Sequence, residues 1–308
     1  MDKYSFDILS LLKKQFEKEV GKRQFQLEES GTSVSPRQFY LENLSDNLFD
    51  TMSEKTRSCY EKGSGNELKD KMLAIRSSSA MTYNLLGNDN VNLLGDCHIG
   101  TGEYNITYEE KFTTLNEASK GTPANLDAFL YCDETKEAIA CEMKMGEWIF
   151  NAPSKLKEAY LHSNKYIDSK NAQVFVQIAK SLIKSSNKYG YNSCFNTYDV
   201  FQMLKHSIAL YNACYKKERD IKKLTLVNCV WEPDFIDSLS DSSQKKYSGA
   251  LKNEHDEFHV FYKSMQPAKA LFNAIGVKFD ICYYSLSDFA KIMELSEERK
   301  VYLRRYNK

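Results

Sequence analysis

The sequence has no excess of either charge. Lys plus Arg and Asp plus Glu both number 42 in 308 residues, so the formal net charge is zero. A strongly basic balance is the usual electrostatic footprint of a nucleic-acid binder. Its absence restricts such a partner to a basic groove on one face. No apolar stretch approaches the roughly 18 residues of a membrane-spanning helix, so no membrane partner is expected. The opening Met1-Asp-Lys-Tyr-Ser-Phe carries no signal-peptide pattern. None of the eight cysteines (59, 97, 132, 141, 194, 214, 229 and 282) belongs to a C-x-x-C pair, and several stand inside apolar runs. That pattern favours reduced, buried thiols and a cytoplasmic setting over a disulfide framework. No internal repeat is present, and no obvious linker divides the chain.

What remains is an ordinary globular composition, 42% hydrophobic and 27% charged, in a chain long enough to bury a sizeable core. Its most informative stretch runs from Pro123 to Trp148. Two apolar runs, Leu126–Cys132 and Ala138–Met145, flank a polar break at Asp133–Glu137. Strand-length runs around a short polar break predict a hairpin. With a loop of Asp133–Lys136, Cys132 pairs with Glu137, and counting outward sets Asp127 opposite Glu142. Directly opposed residues on antiparallel strands have Cβ atoms about 5 Å apart. Glu142 and Lys144 point the same way, because side chains alternate along a strand. Two carboxylates and an ammonium therefore share one patch, embedded among Leu126, Phe129, Leu130, Ile139, Cys141 and Met143. Charge surrounded by apolar residues has either an ion-pair partner or a task. A structural bridge from Lys144 to Asp127 or Glu142 is the plain alternative. The functional one is a hard divalent cation: Mg²⁺ binds through one or two carboxylates plus waters and substrate phosphates.

Asp127 followed by Glu142-Met143-Lys144 resembles the core of the PD-(D/E)xK nucleases, the restriction-endonuclease-like superfamily. Leu126 stands where the pattern has Pro. The resemblance implies an α/β (mixed) fold with a small central mixed sheet flanked by helices. Extra helices would lie at the N-terminus and after the Glu-x-Lys strand. It further implies Mg²⁺-dependent cleavage of DNA, double-stranded by preference, with Mn²⁺ able to substitute and a homodimer allowed. Asp127, Glu142 and the backbone carbonyl of Met143 would hold the metal, and Lys144 would serve the attacking water. Glu67, near the start of an expected helix from Gly63 to Leu86, is the candidate third carboxylate. Superfamily members also use a Gln on a later helix, which singles out Gln177. Lys155, on an expected helix over Pro153–Asp168, is a candidate phosphate contact. A different class of function is a non-cutting nucleic-acid- or protein-binding module on the same scaffold.

The rest of the chain predicts organisation more than chemistry. Residues 1–62 read as an N-terminal helical region packed on a 63–308 domain. It comprises helices over Phe6–Val20 and Pro36–Tyr60, with a polar connector Gly21–Pro36. Asn88–Glu103 reads as a loop, and its Cys97-His98 lacks a second Cys–His cluster nearby in sequence. Tyr104–Thr113 predicts the first core strand. Helices are expected over Ala172–Ser185, Tyr198–Tyr215, Gly249–Ala274 (broken near Pro267) and Ser287–Leu295. Strands are expected over Lys223–Trp231 and Val277–Tyr284, and Ser238–Ser248 reads as a loop. Two histidines at i,i+4, His255 and His259, suggest a rival zinc site, but Asp256 and Phe258 break both zinc-hydrolase patterns. The basic end Glu297–Lys308 is either a nucleic-acid contact or a charged terminus.

Overall fold

The computed structural model describes residues 3–19, 25–27, 36–63, 66–119 and 121–307. It is a mixed α/β fold. Its main sheet has six strands: β1 Asn90–Leu93, β2 Gly102–Phe112, β3 Ala124–Cys132, β4 Glu137–Lys144, β7 Lys223–Val230 and β8 Lys278–Ser285, paired in the order β1-β2-β3-β4-β7-β8. The first four strands form an antiparallel meander, and β7 and β8 continue it in parallel with β4. Parallel neighbours need long crossovers, usually helical. The crossover from β4 to β7 contains α4 Glu147–Phe150, α5 Gln173–Ser181, a small hairpin of β5 Ile183–Asn187 and β6 Gly190–Ser193, and α6 Val200–Tyr215. That from β7 to β8 contains α7 Asp241–Ser264 and α8 Gln266–Ala274, broken at Met265 with a proline in the first turn of α8.

Helices cover both faces of the sheet, so its central strands are buried nearly throughout. On β4, Ile139, Cys141 and Met143 enter one core, shared with α1 Lys3–Glu19, α2 Glu54–Lys62 and α3 Ser78–Leu86. Ala138 and Ala140 enter the other, shared with α5, α6 and α8. The N-terminal segment thus belongs to the first core, and Phe16 packs edge-on against Tyr306, which follows α10 Glu297–Leu303. All eight cysteines are free, and five of them are buried. Among the described residues no helix is long and apolar enough to cross a membrane.

Several elements differ from expectation. Pro36–Tyr60 is not one helix but two 3₁₀ turns, Arg37–Phe39 and Leu44–Asn47, followed by α2. The cause is tertiary: Tyr40 and Leu41 bridge to Ala74 and Phe25, and Asn47 donates to the carbonyls of Met72 and Ala74. Gly63–Leu86 is likewise broken, with a 3₁₀ turn at Lys71–Leu73 and a fresh start at Ser77, whose hydroxyl caps α3 by accepting from Ala80 N–H. Residues 64–65, where that helix was expected to begin, and most of the connector Gly21–Pro36 lie outside the described residues. The expected helix over Pro153–Asp168 consists of 3₁₀ turns at Glu158–Leu161 and Ser163–Lys165, because Leu156 is extended and paired with Tyr191. Asn88–Glu103 contains β1, so β2 is the second strand. Ile183–Ser185, expected as the tail of a helix, begins β5. Ser238–Ser248 is mostly helical, since Ser240 caps α7 and starts it at Asp241. α9 Leu286–Lys291 follows β8 directly.

Candidate functional site

The site grows from the hairpin. Register runs from Cys132↔Glu137 to Ala128↔Cys141, and one further step sets Asp127 across from Glu142. There the strands stop exchanging backbone bonds, and the Asp127 carboxylate accepts the Met143 N–H instead, at 2.7 Å. On its other side Asp127 faces Glu109 of β2, between the pairs Tyr108↔Ala128 and Glu110↔Leu126. Glu109 is left-handed, with φ of 53°. This conformation is costly for a residue with a Cβ, and it concentrates at functional sites. The Glu109 carboxylate accepts from Asn125. Glu67, Glu109, Asp127, Glu142 and Glu147 all line one cavity of about 450 Å³, whose wall also includes Arg76 and the Ser77–Ser79 start of α3.

Glu142 is 3% exposed and fully engaged. Its Oε1 accepts from Lys144 Nζ at 2.6 Å and from Gln202 Nε2 at 2.7 Å, and its Oε2 meets His206 Nε2 at 2.8 Å. Lys144 Nζ also donates to Gln202 Oε1 at 2.6 Å. Gln202 and His206 are one turn apart on α6, so both reach β4 from the same helix face. Asp199 fixes that turn: its Oδ1 accepts from Gln202 N–H and from both the N–H and hydroxyl of Ser154. Lys144 itself lines a smaller adjoining cavity of about 210 Å³, beside Asn228 and Glu254. Burial pushes the Glu254 carboxyl up to about 8.

The charges divide sharply. Burial alone would raise the Glu142 carboxyl, but Lys144 and His206 outweigh it and hold it down at about 2. Burial opposes the charge on Lys144, yet Glu142 above all, with Glu147, Asp199 and Asp127, holds the ammonium protonated, with its pKa raised. Asp127 goes the other way. Burial, and then the Glu142 charge, push its carboxyl well above the ordinary carboxylate range. Among the described residues no side chain donates a hydrogen bond to Asp127; its partner is the Met143 N–H. Glu109 is also raised, chiefly by burial. Five carboxylates thus share the cavity wall with Lys71 and Arg76, and among the described residues neither Asp127 nor Glu109 has an ion pair.

That donor set fits a hard divalent cation held by one or two carboxylates with water filling the shell. It does not fit a closed cage. Among the described residues the group of three ligand atoms lying within 4.8 Å of one another is His98, in the loop between β1 and β2, with Asp280 and Cys282 of β8.

The structure brings Asp127, Glu142, Lys144 and Glu67 to one region. Glu67 precedes the 3₁₀ turn rather than opening α3; it accepts from Lys71 Nζ at 2.7 Å and Ser79 Oγ at 2.8 Å. Gln177 is exposed on α5 and Lys155 is exposed beside Tyr189, and neither lines the two cavities. The glutamine in contact with the Glu-x-Lys strand is Gln202. Its signal in the sequence was a polar i,i+4 pair, Gln202 and His206, within the apolar run Phe201–Leu210. His255 is tied to Glu232 at 2.8 Å and His259 is exposed, so they form no metal cluster. Three of the basic C-terminal side chains are spent locally, while Arg304 is exposed. Arg299 pairs with Asp50, Lys300 pairs with Glu297, and Arg305 is fully buried against Phe16 and Tyr302; Lys308 lies outside the described residues.

Comparison of the chain with protein-family models, with curated proteins and with solved structures found no match.

The raised Asp127 carboxyl gives a stability test. A carboxyl whose folded pKa exceeds its unfolded value destabilises the fold increasingly as pH climbs from about 4. Asp127→Asn is expected to raise stability at pH 8 without divalent metal, with the gain vanishing near pH 4. Adding Mg²⁺ is expected to raise the melting temperature of the wild type and not of the variant. Equal Mg²⁺ responses would remove Asp127 from the cation site.

Proposed function

We propose that the chain is a Mg²⁺-dependent phosphodiesterase that cleaves DNA, on a restriction-endonuclease-like core. The observation that carries this reading is the meeting of Asp127 and Glu142, from adjacent strands, with Glu67 and Glu109 in one cavity, and with Lys144 bonded to Glu142. An antiparallel meander followed by a parallel strand after a helical crossover agrees with such a core.

Asp127 and Glu142 would hold the cation, with the Met143 carbonyl between them in sequence and Glu67 as the further carboxylate. When bound, Mg²⁺ supplies polarisation of a phosphoryl oxygen and a lowered pKa for water. Everything else falls to the chain. Lys144 stays an ammonium, so it is a donor and not a proton acceptor. Two of its three N–H groups serve Glu142 and Gln202. The third is available to orient the attacking water or to balance charge as the water oxygen bonds to phosphorus and the 3′ oxygen leaves. Gln202 and His206 position Glu142. Arg76 has no ion-pair partner among the described residues. With the N-terminus of α3 it offers a seat for a backbone phosphate at the cavity wall.

The test is nicking of supercoiled plasmid by the full chain in Mg²⁺, against an EDTA control. Cleavage is expected to fall at acid pH, because Asp127 must ionise to hold a cation, and more Mg²⁺ is expected to shift that limb to lower pH. No alkaline limb from Lys144 is expected up to about pH 10. DNA binding with no nicking in either Mg²⁺ or Mn²⁺ would instead mark a non-cutting module. The saturated hydrogen bonding of Glu142 is the feature that would then explain it.

A further inference from the structure

The loop between β1 and β2 reaches the far edge of the sheet. Its Asp96 accepts from the backbone of His98 and Ile99 and from the Tyr284 hydroxyl of β8, and the His98 carbonyl accepts from Thr225 Oγ1 of β7. The sheet is thereby curled, since β1 and β8 are opposite edges in its strand order. At this meeting His98 Nδ1 lies 3.1 Å from Asp280 Oδ2, across 182 residues of sequence. Asp280 and Cys282 are two apart on β8 and so share a face. One ligand atom from each of His98, Asp280 and Cys282 lies within 4.8 Å of the other two.

We propose that His98, Asp280 and Cys282 form a Zn²⁺ site that ties the β1–β2 loop to the edge strand β8. An imidazole, a carboxylate and a thiolate are a set zinc accepts together, whereas Mg²⁺ and Ca²⁺ do not use sulfur. Ligands at the Zn–N, Zn–O and Zn–S distances of a tetrahedral site with one sulfur stand about 3.3–3.6 Å apart; the imidazole and carboxylate are already that close, and a contraction of at most about 1.3 Å brings in the sulfur. The groups that orient the carboxylate are already in place. Lys269 and the Ile281 N–H hold Asp280 Oδ1, which orients the carboxylate and leaves Oδ2 for the metal. Three protein ligands leave the fourth position to solvent. On binding, Zn²⁺ forms a bond to the Cys282 sulfur as the thiol proton passes to solvent, and no electron is transferred.

This site is separate from the carboxylate cavity and does not depend on the cleavage reading. The test is the metal content of the full chain, purified without metal-chelating resin, by mass spectrometry. About one zinc per chain is expected. Replacing it with Co²⁺ is expected to give a near-ultraviolet thiolate-to-cobalt charge-transfer band that Cys282→Ser abolishes. His98→Ala lies at an exposed loop and leaves the cores alone; it is expected to weaken zinc binding more than the roughly 10–100-fold cost of losing a residue that only hydrogen-bonds a ligand. Chelation is expected to lower the melting temperature of the wild type and not of His98→Ala. Zinc retained undiminished in His98→Ala, zinc lost in Asp127→Asn, or neither zinc nor a cobalt band in the wild type would each overturn the assignment.

Discussion

Replacing Lys144 with Met is expected to lower the rate of the proposed Mg²⁺-dependent DNA cleavage by roughly 10²–10³-fold, the size of effect seen when one preorganised charge-stabilising donor is removed from an active site. The fold is expected to persist. Glu142 loses its strongest counter-charge but keeps Gln202 and His206 as partners, so a stability loss of about 1–3 kcal/mol follows from one missing charged hydrogen bond. DNA affinity in Ca²⁺ is expected to change little, because Lys144 is 13% exposed and bonded inward. A rate measured under single-turnover conditions separates these effects. If cleavage by Lys144→Met equals that of the wild type, the ammonium has a structural role only. Arginine would not replace it well: its planar fork is a poor match for a site shaped around a single ammonium.

The second large effect concerns stability. Glu142→Ala is expected to destabilise the protein by roughly 3–5 kcal/mol, because it leaves the Lys144 charge buried without its carboxylate. Gln202 and His206 lose an acceptor at the same time. Loss of cleavage in that variant is therefore ambiguous, and Glu142→Gln, which keeps the shape, is the better active-site probe. The double variant Glu142→Leu with Lys144→Met is expected to recover much of the loss, since replacing both members of a buried pair by apolar residues is often neutral or stabilising. Chemical unfolding of the three variants decides the matter; a double variant as unstable as the sum of the singles would contradict a buried pair. The same interaction sets the acid limb of stability. With its folded pKa held at about 2, the Glu142 carboxylate contributes stability that is complete above its unfolded value of about 4.3. That contribution is lost as pH falls from there to about 2.

How much of this was legible beforehand depends on whether the cause was local. The hairpin was legible because strand length, a polar break and loop length are all properties of adjacent residues, and the pairing of Cys132 with Glu137 follows from them. The positions of Asp127, Glu142 and Lys144 relative to one another follow in turn. The segment Pro36–Tyr60 was not legible as two 3₁₀ turns, because Asn47 and Leu41 are held by residues 72–75, beyond any local window. Helical periodicity also cannot say which helix lies against which strand. Gln177 and Gln202 look equivalent in sequence, and only the crossover geometry puts α6 over β4 and leaves Gln177 in solvent. Cys97-His98 lacked partners within its own stretch; Asp280 and Cys282 arrive from the other edge strand through the curl of the sheet.

Asp127 and Glu142 are together proposed to grip a divalent cation. Anomalous scattering from a crystal of the full chain soaked in Mn²⁺ tests it most directly. The expected result is a peak between the two carboxylates, with oxygen contacts of about 2.1 Å, that is absent in Asp127→Asn. A well-ordered cavity with no peak there, at Mn²⁺ concentrations that fill other sites on the protein, would contradict it.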